Sequence, residues 1–395
     1  MKLPFFGRAN RVAQTSIVCD VGSAGVAIAV VEAHLGDSPF ANVIVSERRA
    51  LGLTETSRSE KQTIDQLQTL MRELAASIID RHAKSGGATP ASIMCIVHGP
   101  WVRTETTHAE RHFEAPTTIT ANIIADIAKE ATQKKSTATE QNIFERVVTR
   151  VLLNGYHTKN PEGKIASRVM VSVLQSDINP VMHEALGQAL LSVLPGREIT
   201  YRSALFVQGV IIDEYAPDIA HYTLIDINST ATNVAVIREG SQLAHATAPI
   251  GWRAIIQSLA SLDDASADAA LSKVRLVAED ACTDAACAQV LDALKKAEPQ
   301  FVDAYGKMLA ELSNELRAPA KMLIVAPPDV GGWFVNFFGR IDFAHFTIAE
   351  QPFVVEQLFA RYLERGVQFA PSMRPDTGIA AGAALVHISL RDSNR

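Results

Sequence analysis

The chain has 395 residues, 47% hydrophobic and 20% charged, with 37 Lys and Arg against 43 Asp and Glu for a formal charge of −6. This hydrophobic share excludes a disordered chain, and the length gives room for two or three domains with cores of their own. The mild acidity, with a pI near 6.0, argues against a protein that coats nucleic acid.

At the start, Leu3 to Phe6 is too short for the apolar core of a secretory signal. Phe5 and Phe6 beside Lys2, Arg8 and Arg11 read as a frayed terminus, with contact to anionic lipid or a partner as the alternative. Ile17–Val21 is a short β-branched run, Gly22-Ser23-Ala24-Gly25 a turn and Val26–Val31 a second β-rich run, which together predict a hairpin. Apolar residues from Ile64 to Ile79 recur at helical spacing, so residues 59–84 read as a helix stopped by Gly86-Gly87. Ala91–Val97 reads as a buried strand. Residues 101–118 are rich in Thr, His and Glu and read as an exposed segment. Beyond it come a helix over Thr120–Ala131 and two strand-like segments, Arg146–Tyr156 and Ser167–Leu174, joined by a turn with Pro161 and Gly163. That order suggests a small inserted α+β subdomain over residues 93–178.

Helix returns at Pro180–Leu194, with Asn179 as N-cap, and Arg202–Tyr215 is helix-compatible. From Tyr222 the opening pattern recurs as strand, polar turn and strand, YTLIDINSTATNVAVIREG. Asp226 stands in it as Asp20 stands in the first copy, about half a chain length later, so two similar α/β domains are expected and a solenoid of short repeats is not. Residues 254–316 are helical in periodicity. Lys321–Ala326 is a strand, Pro327–Gly332 reads as a loop, and Asp376-Thr377-Gly378 leads into the small-residue helix Ile379–Leu385.

A turn such as Gly22-Ser23 offers a phosphate its N–H groups and a hydroxyl, because glycine lets the backbone approach closely. An Asp just before it can hold the water shell of Mg²⁺. Two such turns could clamp the phosphates of a nucleotide. One D-x-G-S is weak by itself; the duplication is what gives it weight.

On SIVCDVGSAGVAIAVVE, YTLIDINSTATNVAVIREG, PIGWRAIIQSLA and GIAAGAAL, the chain resembles the actin, sugar-kinase and heat-shock-chaperone ATPase superfamily. Through the place of the insert, whose ending 143–178 resembles, it is most similar to the FtsA/PilM branch. The resemblance implies a two-lobed α/β fold of actin-like (ribonuclease-H-like) type with an inserted α+β subdomain. Its divisions would be lobe I at 1–92 and 179–220, the insert at 93–178 and a C-terminal helix at 373–395 returning to lobe I. Lobe II would hold a phosphate hairpin at 221–253, a helical part at 254–316 and the remainder with an adenosine loop at 317–372. It further implies ATP and Mg²⁺ as cofactors, with Asp20 and Asp226 contacting Mg²⁺ through water. Gly22, Ser23, Asn228, Ser229 and Thr230 would meet phosphates, and Gly331 and Gly332 the adenosine side.

The second loop carries Asn228, Ser229 and Thr230 where the family has glycines, and two prolines stand in the adenosine loop. Binding is therefore expected with weak hydrolysis at most. The function implied is a scaffold that self-assembles or recruits protein partners of a division or pilus machine. It would act in the cytoplasm, at the inner face of the cytoplasmic membrane through a partner, since HISLRDSNR offers no long amphipathic tail. A pseudo-ATPase scaffold and a small-molecule kinase of the same superfamily are the alternatives.

Other features receive plainer readings. His98, His108 and His112 are expected to be solvated rather than metal-binding. Trp333, Phe334, Phe337 and Phe338 are expected to pack a helix on its own domain, with a partner surface as the alternative. Four cysteines, at 19, 95, 282 and 287, make no disulfide framework and predict a reducing compartment. No P-loop and no G-x-S-x-G elbow occurs, and no run of ~18 apolar residues predicts a membrane span.

Overall fold

The computed structural model describes residues 13–35, 40–52, 59–133, 142–260, 267–279, 281, 285–358 and 362–393. The expectations for Phe5, Phe6 and Cys282 fall outside them. The first lobe opens with β1 (Ala13–Gly22), β2 (Gly25–His34) and β3 (Ala41–Ala50), an antiparallel meander with Asp20 opposite Ala27. Ile17, Val18, Ile28 and Val30 have no exposed surface, because both faces of the sheet are covered. Helix α1 (Glu60–Lys84) covers one face with Ile64, Leu67, Met71, Leu74 and Ile78. Its start is fixed by Ser59, which accepts from the Gln62 N–H while the Gln62 side chain accepts from the Ser59 N–H. β4 (Ser92–Val97) runs parallel to β1 and sets Ile96 opposite Asp20. Cys19 and Cys95, on these two strands, are free and buried.

The chain then leaves this sheet. β5 (Val102–Thr118), α2 (Ala121–Gln133), β6 (Ile143–Leu153), β7 (Tyr156–His157) and β8 (Ile165–Ile178) build a separate sheet in the order β5-β8-β6-β7, with α2 packed on it through Ile127 and Ala131. This sheet begins at Val102 and not at 93, because Ser92–Val97 is hydrogen-bonded into the first sheet. The segment expected to be exposed is thus one long strand, whose Thr104 and Thr107 are buried and whose Ala109 joins the apolar cluster under α2. β-branched threonines suit a half-exposed strand, and their polarity masked it.

Helix α3 (Pro180–Val193), capped by the Asn179 carboxamide, returns the chain to β9 (Ile199–Ser203), parallel to β4, and α4 (Ala204–Tyr215) follows. The second lobe repeats the plan with the antiparallel strands β10 (His221–Ile227), β11 (Thr232–Arg238) and β12 (Ser241–Ala248), Asp226 lying opposite Asn233. Helices α5 (Arg253–Ala260), α6 (Ala267–Ala278) and α7 (Ala285–Glu315) lead to β13 (Lys321–Val325), parallel to β10. α8 (Pro328–Arg340) and β14 (Val354–Gln357) complete this lobe. β15 (Val367–Phe369) crosses back to pair with β3, and α9 (Thr377–Ser393) packs on the first sheet.

The strand order β3-β2-β1-β4-β9 of one lobe is matched by β12-β11-β10-β13-β14 in the other. Two lobes, each three antiparallel strands followed by two parallel ones, are the duplication read from the repeated hairpin. Residues Pro328 to Gly332, expected as loop, form the first turns of α8, because a proline at the helix start and Asp329 in the first turn both favour initiation there. Trp333, Phe334, Phe337 and Phe338 pack around Phe301 and Tyr305 inside this lobe, the Phe301 and Trp333 ring centroids 5.4 Å apart. Among the described residues no helix is long and apolar enough to cross a membrane.

Candidate functional site

Because the strand plan repeats, β1 and β10 deliver equivalent turns to one gap between the lobes. An ideal Cβ on Gly22 would lie 3.9 Å from the Asn228 side-chain oxygen, so the two turns face each other closely. The cleft around them has a volume of about 360 Å³, within the usual range of ligand sites. Its floor is polar, formed by the ends of β1 and β10. Its walls are mostly apolar, with Val207, Ile211, Val325, Ala326, Pro327 and Leu358 among them.

A charged cluster lies on the floor. His98, the residue after β4, places Nε2 2.7 Å from Asp20 Oδ1 and Nδ1 3.3 Å from Asp226 Oδ2, joining the lobes. Arg48 on β3 donates to Asp20 Oδ2 at 2.6 Å and grips Asp376 with two further bonds. Asp226 also accepts from Asn228 at 2.8 Å and from Gln208 at 3.3 Å. The side chains of Asp20, Asp226 and His98 are 6%, 3% and 13% exposed, which makes these pairs strong. Burial alone would drive the Asp20 carboxyl up, but His98 and Arg48 hold it well below the usual carboxylate range. Burial alone would likewise lower His98, yet Asp20 and Asp226 raise it to about 10. Burial also opposes the charge of Arg48, which Asp376 and Asp20 override and raise.

The last helix seals this cluster. α9 begins so close to β1 that a Cβ on Gly378 would lie 2.2 to 2.4 Å from the Asp20 carboxyl atoms. One turn on, a Cβ on Gly382 would lie 2.3 Å from Val18 Cγ1. The small residues of this helix let it approach the sheet.

The expected site residues divide into three groups. Asp20, Gly22, Ser23, Asp226, Asn228 and Ser229 line the cleft. Thr230 lies beside it, in an adjoining pocket of about 240 Å³ shared with Ser23, Trp101, Ser229 and Arg253. Gly331 and Gly332 lie in α8, where an added Cβ would strike the Gln357 amide or Ala278. Their smallness serves helix packing, and the segment reaches the cleft through Ala326, Pro327 and Asp329 instead.

Sequence reasoning missed His98, Arg48, Gln208 and Asp376. His98 is not solvated; it is the bridge between the lobes. The parallel pairing of β4 with β1, which sets the residue after β4 beside Asp20, places it there. His108 and His112 are exposed on β5, and among the described residues no group of three or more His, Cys, Asp or Glu side chains is arranged to hold a metal ion.

The oxygens of Asp20 and Asp226 already accept from this chain's own donors, two of them cationic. They do not fit a hydrated Mg²⁺, which would meet the like charges of Arg48 and His98 already seated on these carboxylates. The turns do fit a phosphate. Ser23 Oγ and Ser229 Oγ are buried without a hydrogen-bond partner, as is Trp101 Nε1 in the adjoining pocket.

No family model and no curated protein matches the chain by sequence. Among solved structures, it superposes on one from the PilM–PilN type IV pilus biogenesis complex with a TM-score of 0.59 and 12% identity, covering 96% of this chain and 98% of that one. The ethanolamine utilization protein EutJ from Carboxydothermus hydrogenoformans gives 0.44 and 10%, covering 98% and 92%. A ROK family transcriptional regulator gives 0.42 and 13%, covering 96% and 79%. The chain therefore has the two-lobed actin-like ATPase fold that the resemblance implied.

Proposed function

We propose that this chain is a nucleotide-binding scaffold in which occupancy of the cleft sets the relation of the two lobes, and a protein partner reads that relation. One observation carries this reading: two equivalent turns face each other with the unpartnered hydroxyls of Ser23 and Ser229 between the lobes. The phosphates would be held by Ser23, Ser229 and the Gly22 backbone. The base would meet the apolar wall at Ala326 and Pro327. Bound nucleotide supplies contacts to both lobes at once and so favours a closed arrangement.

The partner would belong to a pilus or division machine at the inner face of the cytoplasmic membrane, with self-assembly into dimers or filaments as a further form of partnership. The end-to-end superposition on a PilM–PilN complex supports the pilus side of this choice. The pseudo-ATPase reading gains from the cations already paired with the carboxylates of the cleft floor, which favour binding over turnover. A sugar-kinase reading loses, since Asp20, Asp226, Asp329 and Asp376 in the cleft all have hydrogen-bonded partners in the fold and none is placed as a free general base.

Titration calorimetry with ATP and ADP tests the nucleotide half. Binding with one site per chain is expected, and Ser23→Ala with Ser229→Ala is expected to weaken it. Absence of binding at millimolar nucleotide, with and without Mg²⁺, would overturn the reading.

A further inference from the structure

We propose that His98, braced by Arg48, is the resident cation of this cleft, so that nucleotide binds there without a divalent metal. The inference rests on the nucleotide reading above and specifies the form in which the ligand enters. Both ring nitrogens of His98 face carboxylate oxygens, at 2.7 Å and 3.3 Å. Ionised carboxylates only accept, so both nitrogens carry protons and the ring is a cation. It therefore stands as a positive charge between the two carboxylates that the repeated motif would assign to a metal's water shell.

The other two oxygens also carry donors of this chain. Asp20 Oδ2 takes Arg48, and Asp226 Oδ1 takes Gln208. Asn228 adds a second donor to Asp226 Oδ2. A hydrated Mg²⁺ is held through one or two carboxylates with its own waters between, and those waters need open space beside the carboxylate. Here its approach to Asp20 is closed on one side by α9, because the α carbon of Gly378 sits where no side chain fits. On the other side stand two cations, which repel a third. The phosphate-facing groups are donors of another kind: Ser23 Oγ, Ser229 Oγ and Trp101 Nε1, with Arg253 lining the same pocket. These can carry an anion's oxygens with no metal between.

Mn²⁺ titration followed by electron paramagnetic resonance, on the full chain and without nucleotide, tests the first half. The wild type is expected to bind no Mn²⁺ that Asp20→Asn abolishes, whereas His98→Ala and His98→Gln are expected to gain one such ion by freeing both carboxylates. Calorimetry with ATP in excess Mg²⁺ and in EDTA tests the second half. Wild-type affinity should agree within about twofold in the two media, and His98→Ala should favour Mg²⁺ by about tenfold. Should the His98 variants not fold, Arg48→Ala frees an Asp20 oxygen from the half-exposed rim and takes the same titrations. Wild-type Mn²⁺ bound through Asp20, or a tenfold loss of ATP affinity in EDTA, would overturn the proposal. If nucleotide binds in neither medium, the nucleotide reading fails, and the Mn²⁺ titration alone decides the role of His98.

Discussion

The turn at Gly22–Gly25 and the turn at Asn228–Ala231 hold equivalent places in lobes of the same strand order, but they keep their shape by different means. In the first, glycine sits within the turn: a Cβ on Gly25 would lie 2.2 Å from the Arg49 carbonyl oxygen of β3. In the second, the turn has no glycine, and the glycine lies underneath. A Cβ on Gly251 would lie 2.1 Å from the Asn228 carbonyl oxygen. The N–H groups of Trp252 and Arg253 bond the Asn228 and Ser229 carbonyls at 3.0 Å each. The need for close backbone approach has therefore moved from the second turn to the start of α5. The Asn228 side chain donates to Asp226.

The same asymmetry extends to the carboxylates, and it can be broken there with the largest effect. Asp20 meets two cations, whereas Asp226 meets one cation and two amides. Asp20→Asn should cost about 3–5 kcal/mol in urea unfolding, since it leaves two buried cations short of a carboxylate, His98 with Asp226 alone and Arg48 with Asp376 alone. Asp226→Asn, which keeps neutral hydrogen bonds, should cost about 1–2 kcal/mol. Equal losses would remove the distinction between the lobes.

Titration gives a smaller loss of the same interaction, because Arg48 keeps its charge throughout. The raised His98 contributes stability that is full below its unfolded pKa near 6.5 and is lost as pH rises through about 10. The depressed Asp20 contributes stability present above its unfolded value of 3.8 and lost as pH falls through its lower folded value. Unfolding free energy should therefore fall on the alkaline side in the wild type and fall less in His98→Gln. Parallel alkaline slopes in both proteins would deny His98 this role.

The supports of the two turns differ next. Gly251→Ala should destabilise by about 1–3 kcal/mol, because the atom it meets is fixed backbone. Gly22→Ala has 3.9 Å of room and ordinary backbone angles, so it should change stability by less than about 1 kcal/mol. Thermal unfolding of the pair separates a glycine needed for the fold from one kept for a ligand.

The hairpins were legible because β-branched runs, an acidic residue and a small-residue turn recur together, and both strands of each are buried. The α9 glycines were legible as small residues, though not that Gly378 and Gly382 admit Asp20 and Val18. His98 was not legible. It stands alone after a strand, and its partners lie 78 and 128 residues away, joined only by the parallel pairing of β4 with β1 and the facing of the lobes. Gly331-Gly332 misled for the opposite reason: two glycines after prolines suggest a loop, but a proline at a helix start does not stop a helix.

The smallest stability effect sharpens the comparison at the ligand itself. Ser23 and Ser229 each bury a hydroxyl with no partner, so removing either oxygen discards no native hydrogen bond. Ser23→Ala and Ser229→Ala should each leave unfolding within about 0.5 kcal/mol of wild type, or raise it slightly. Each should nonetheless weaken nucleotide by about tenfold if the hydroxyl donates to a phosphate. Ser229 stands in the turn whose carbonyls are anchored to α5, and Ser23 in the turn whose glycines leave room. A larger affinity loss at Ser229 than at Ser23 would mean that the turn without glycines is the better ligand clamp, since its backbone support makes the hydroxyl the more rigid donor.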